Sequence, residues 1–80
     1  MIESENFKEW LKNNTKYCDN VLSDIVSRMK RADSILEWND EETYLYFLER
    51  KKEFCCLTTS VKSQLKKSVK LYQEYRTRHS

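Results

Sequence analysis

The stretch LTTSVKSQLKKSVKLYQEY, Leu57 to Tyr75, carries the residues most able to do chemistry. Lys62, Lys66, Lys67 and Lys70 meet no acid before Glu74. Lysines contact phosphate as mobile charges, and Thr and Ser hydroxyls add hydrogen bonds to phosphate oxygens. A helix N-terminus adds free N–H groups that favour anions. Thr58, Thr59 and Ser60 stand where such a helix would begin. At about 100° per residue, the stretch separates into two faces. Leu57, Val61, Leu65, Ser68, Val69 and Tyr72 form an apolar face. Thr59, Lys62, Ser63, Lys66, Lys67 and Lys70 form a basic, hydroxyl-bearing one. That second face suits either water or the backbone of duplex DNA, whose major groove admits a helix.

Other chemistries find little support. Glycine-rich phosphate loops are excluded, because the chain has no glycine. A Ser or Cys nucleophile needs a base, and the single histidine is His79, next to last. Asp40, Glu41 and Glu42 sit at an expected helix start, where capping and the helix dipole account for them. No catalytic residues and no cofactor are therefore expected. The three cysteines are an odd number, and Cys55 and Cys56 are neighbours poorly placed to pair with each other. They read as small core or boundary residues in a reducing, cytoplasmic setting. Without a CxxC pair, no metal site is expected.

These residues must be positioned by a chain of 80 residues, room for one domain. It has neither glycine nor proline. Tight hairpin turns usually need glycine, asparagine or proline, so the composition predicts an all-α fold. Four helices can be drawn, over about 4–13, 19–38, 40–52 and 58–76. In the first, Ser4 is the expected N-cap, and Phe7, Trp10 and Leu11 share a face. In the second, Cys18, Leu22, Ile25, Met29, Ala32 and Leu36 form a stripe. The third opens with Asn39 and Glu42 at capping-box spacing, and Asn13-Asn14 marks the end of the first. The residues from Arg76 to Ser80 read as a loose end. The expected architecture is a compact four-helix bundle.

Charge is unevenly spread. Residues 1–54 hold nine basic and twelve acidic groups, whereas residues 55–80 hold six basic and one acidic. The C-terminal third therefore puts a positive face on a nearly neutral chain. With 35% charged residues, no segment approaches the roughly 20 apolar residues of a membrane span. The opening MIESENF lacks the basic and apolar regions of a secretion signal.

The order FKEWL, YCDNVLSDIVSRMKRADSIL, YLYFL and LTTSVKSQLKKSVKLYQEY resembles the N-terminal core-binding domain of tyrosine recombinases of the phage-integrase type. The matching elements are Trp10-Leu11, Val21 to Leu36, Tyr44 to Leu48, and Leu57-Thr58 through Tyr72 and Tyr75. The resemblance covers about residues 5 to 76. It implies a SAM-like helical module that binds double-stranded DNA opposite a catalytic domain, with its second and fourth helices toward the major groove. Carried over by position, it implies DNA contacts from Thr59, Lys62, Ser63, Lys66, Lys67 and Lys70, with Lys16, Arg28 and Arg31 on the second-helix side. The arginine–histidine–tyrosine set of the catalytic half has no place in this chain, so a domain cut from a longer recombinase is the expectation, with a short stand-alone protein of the same fold as the alternative.

A different class of function also fits. Tyr44, Tyr46, Phe47, Phe54, Tyr72 and Tyr75 are many aromatics for so small a core, and the third helix is apolar nearly all round. An exposed aromatic cluster would mark a protein-interaction module, an adaptor, inhibitor or dimerisation unit.

Overall fold

The computed structural model describes residues 2–79, with side chains through Thr77. Among them run five helical segments: α1 Ser4–Asn14, α2 Asp19–Ile35, α3 Tyr44–Glu49, α4 Lys52–Cys55 and α5 Thr59–His79. No strand occurs among the described residues. Helix α5 lies against both α1 and α2, and α2 carries its largest contact. Fully burying a large apolar side chain stabilises a fold by about 1.5–3 kcal/mol. The core spends few positions on anything else: Phe7, Leu11, Leu22, Met29, Leu48, Leu65 and Val69 are all sealed from solvent. With a radius of gyration of 12.0 Å, the all-α chain is compact.

The apolar registers of α1, α2 and α5 place these residues. On α1, Phe7, Trp10 and Leu11 are buried. On α2 the buried row is Leu22, Ile25, Val26, Met29 and Ala32. On α5, Leu65, Ser68, Val69, Tyr72 and Tyr75 face inward. Aromatic rings tie the ends of these helices together. Phe7 meets Tyr72 edge-on at 4.9 Å, and Trp10 meets Tyr75 at 5.8 Å. Trp38 lies 4.8 Å from both Tyr44 and Tyr72.

The structure departs from the sequence reading at the helix ends. Ser4 is already inside α1, and Glu3 occupies the cap position without a side-chain cap bond. Helix α2 stops at Ile35 instead of reaching Trp38, because Leu36 is extended. That turn lets Trp38 wedge between Tyr44 and Tyr72 while its backbone N–H donates to Asp33 at 2.9 Å. The Tyr44 hydroxyl closes the end of α2. It lies 2.5 Å from the Leu36 carbonyl, which the helix end leaves without an intrahelical partner, and 3.1 Å from that of Ala32, which also accepts the Leu36 N–H.

The third helix, read as 40–52, is the larger correction. Asp40 adopts φ 58, a left-handed conformation that no α-helix accommodates but that Asp tolerates. Asn39 does not close a capping box. Its Oδ1 accepts the Glu41 N–H at 3.1 Å, forming a tight turn. Residues 40–43 therefore belong to the connection. The helix is also broken at Lys51, which is extended. Leu48 and Phe54 are both buried. In one continuous helix, six residues apart, they would point about 120° away from each other. The break lets both face the core.

All three cysteines are exposed, not core or boundary residues. Cys18 begins the α2 stripe in sequence but precedes the helix. Cys55 and Cys56 close the short α4, whose one inward side chain is Phe54. Arg76 belongs to no loose end: it lies inside α5 and is held by two acids. The side chains of Arg78, His79 and Ser80 fall outside the described residues. No helix among those described is long and apolar enough to cross a membrane.

Candidate nucleic-acid interface

Helix α5 begins where Thr58 caps it. The Thr58 Oγ1 accepts the Val61 N–H at 3.3 Å, and its carbonyl accepts that of Lys62. With Leu65, Ser68, Val69 and Tyr72 locked into the core, the register throws the lysines outward. Thr59, Ser63, Lys67 and Lys70 are exposed, and Lys62 and Lys66 are half-buried. Lys62 to Lys70 spans about 12 Å of helix axis. One strand of duplex DNA presents a phosphate about every 3.4 Å of axis. Four lysines over that length thus match roughly one cation per phosphate.

Two contacts shape this face. Lys66 Nζ lies 2.7 Å from Glu49 Oε1, joining α5 to α3. Lys67 Nζ stands 5.5 Å from the centre of the Tyr17 ring, in the α1–α2 connection. Lys16 precedes Tyr17 in the same connection and is exposed. Between Ser63, Lys66, Lys67, Lys70, Leu71 and Glu74 lies an open depression of about 420 Å³. Its rim carries three ammonium groups, one hydroxyl and the Glu74 carboxylate.

The second-helix residues are less well gathered. Arg28 is half-buried, and Arg31 is exposed on the side of α2 away from its buried row. Among the described residues, no ion pair or side-chain hydrogen bond links either to α5. The structure therefore sets Thr59, Lys62, Ser63, Lys66, Lys67 and Lys70 on one face of α5, while Lys16 lies in the α1–α2 connection. Arg28 and Arg31 stand apart on their own helix.

The opposite end of α5 has a different character. Arg76 Nε donates to Asp40 Oδ1 at 2.8 Å, and a second guanidinium nitrogen reaches Oδ2 at 3.4 Å. Its third nitrogen donates to the Glu3 carboxylate. The Trp38 indole also donates to Asp40 at 2.8 Å. Arg76 first, then Trp38, holds the Asp40 carboxyl below its ordinary range. The backbone N–H of Glu3 donates to the Tyr72 hydroxyl at 3.0 Å. Its carboxylate accepts from the Tyr75 hydroxyl at 3.2 Å. A larger open depression, about 540 Å³, lies here between α1 and α5. Its Tyr75 and Arg76 both donate to Glu3, so we assign this end to holding the fold. Asp40–Glu42 thus cluster at the far end of α5, away from the lysine row. Sequence reading missed this clamp, since 36 residues separate Arg76 from Asp40.

Six aromatics were candidates for an exposed cluster. Tyr44, Phe54, Tyr72 and Tyr75 are buried; Tyr46 and Phe47 remain open, at 55% and 51% exposure. Burial pushes the Tyr44 phenol well above its ordinary range, with the Asp33 charge adding to the effect. Among the described residues, no group of three His, Cys, Asp or Glu side chains could hold a metal ion. No family model, curated protein or solved structure matches the chain.

Proposed function

We propose that this chain is a non-catalytic DNA-binding domain that holds the backbone of a duplex against the basic face of α5. The observation that carries the reading is the outward lysine row, Lys62, Lys66, Lys67 and Lys70, set on a helix whose other face is locked into the core. Thr59 and Ser63 add hydroxyl donors, and Lys16, exposed in the α1–α2 connection, is a further contact in this reading. In this reading the chain takes the form of the SAM-like core-binding module of tyrosine recombinases. Taking α3 and α4 as one element broken at Lys51, four helical units follow in the order that module would have. Arg28 and Arg31 are outlying contacts in this reading, reached only by a duplex that also spans α2.

Mobile lysine contacts give binding that is weak, largely indifferent to sequence and sensitive to salt. The test is fluorescence anisotropy with a blunt duplex of about 30 base pairs at low salt. The native chain should bind. A variant with Lys62, Lys66, Lys67 and Lys70 all replaced by alanine should lose most of that affinity while keeping its helical circular dichroism. Equal binding by a folded variant would remove α5 from the mechanism.

A further inference from the structure

The exposed aromatic pair on α3 adjoins the lysine row, and this adjacency has a chemical meaning. Tyr46 and Phe47 meet edge-on, with ring centres 5.4 Å apart. The Arg50 guanidinium stands 5.0 Å from the centre of the Tyr46 ring and donates to its hydroxyl at 2.6 Å. The two rings and the cation thus hold one another in place on the surface. Tyr46 and Glu49 are three residues apart on one helix, so they share a face about one turn long. Glu49 in turn pairs with Lys66 of α5. One helical turn therefore separates Tyr46, with Phe47 against its ring, from the Glu49–Lys66 contact, and Arg50, Lys51 and Lys52 continue the positive charge beyond it.

An aromatic surface flanked by cations suits a polyanion that also offers flat rings. Double helix offers only the first, since its bases are stacked on each other. A strand whose bases are unpaired offers both, and base–aromatic stacking tolerates any sequence because every base has a ring face. The cations on either side of the pair disfavour an apolar or basic protein segment as occupant.

We infer that the α5 lysine row and the Tyr46–Phe47 pair form one surface for DNA in which duplex gives way to single strand. The duplex backbone lies on the lysines, and unpaired bases leaving it stack on the two rings. This rests on the reading of α5 as a phosphate-binding face.

The experiment compares a blunt duplex with the same duplex bearing an overhang of about ten nucleotides, by anisotropy at one salt concentration. The overhang should tighten binding by about tenfold. Tyr46→Ala with Phe47→Ala should bring the overhang duplex back to the affinity of the blunt one. Tyr46→Phe, which keeps the ring, should preserve the gain. Blunt and overhang duplexes bound equally well would overturn the inference and leave the α5 reading standing. An overhang gain that survives loss of both rings would also overturn it, leaving the pair as a contact for a protein partner. Failure of both duplexes to bind would sink the α5 reading and this inference with it.

Discussion

Glu49 on α3 holds the ammonium of Lys66, 2.7 Å away, within the basic face of α5. Each partner keeps about two-fifths of its side chain exposed, so the pair is worth at most about 1 kcal/mol to the fold. Its effect on an incoming phosphate is larger in kind, because a carboxylate occupies the cation that the phosphate would use.

Glu49→Gln should therefore tighten binding of a blunt duplex. Releasing one lysine corresponds to about two- to fivefold in affinity at low salt, given the modest strength of exposed ion pairs. Anisotropy against the native chain checks this. Weaker binding would show that Glu49 positions Lys66 instead of occupying it.

Arg76 draws together the chain's start, the α2–α3 connection and α5. Its side chain is about one-third exposed, so solvent screening limits the clamp to about 1 kcal/mol. For a domain this small, Arg76→Ala should lower Tm by about 4–8 °C. Arg76→Lys should recover little of it, because an ammonium cannot serve Asp40 and Glu3 with a planar fork. Thermal denaturation of the two variants separates geometry from charge.

The same clamp makes stability depend on acid. Asp40 ordinarily titrates at 3.8, and in the fold its carboxyl is held lower, by Arg76 first and Trp38 second. Below that ordinary value the unfolded chain takes up a proton that the folded one does not. The stabilisation is thus fully present above 3.8 and is lost as pH falls through the lower folded value. Thermal denaturation between about pH 5 and pH 2 should show the native chain losing more stability than Asp40→Asn. Parallel curves would place the acid sensitivity elsewhere.

Tyr44→Phe tests the plug at the end of α2. The ring would stay buried, but the Leu36 and Ala32 carbonyls would lose their hydroxyl donor. Loss of such a bond costs about 1–1.5 kcal/mol, a fall of about 4–8 °C in Tm per kcal/mol. An unchanged Tm would mean that water serves these carbonyls equally well.

Periodicity made α1, α2 and α5 legible, because a stripe such as Leu22, Ile25, Met29 and Ala32 has one explanation. The division of α5 followed directly from its 3.6-residue repeat, and so did the outward lysines. What escaped the pattern was set by partners distant in sequence. Trp38 leaves α2 to fill a gap between Tyr44 and Tyr72. Phe54 returns to the core only through a break at Lys51 that no glycine or proline announces. Arg76 resembled a fraying end because both its acids lie far away in the chain. The lysine row was visible as a face. Its coupling through Glu49 to Tyr46 was not, since short α3 carries too few residues for a readable period.

The most direct test of the DNA-binding account is the salt dependence of blunt-duplex affinity. Four lysines on phosphates should give log K against log salt a slope of about −3 to −4. Replacing Lys62, Lys66, Lys67 and Lys70 with alanine should weaken binding and flatten that slope toward zero. A slope that survives in the folded variant, or no binding by the native chain at low salt, would contradict the account.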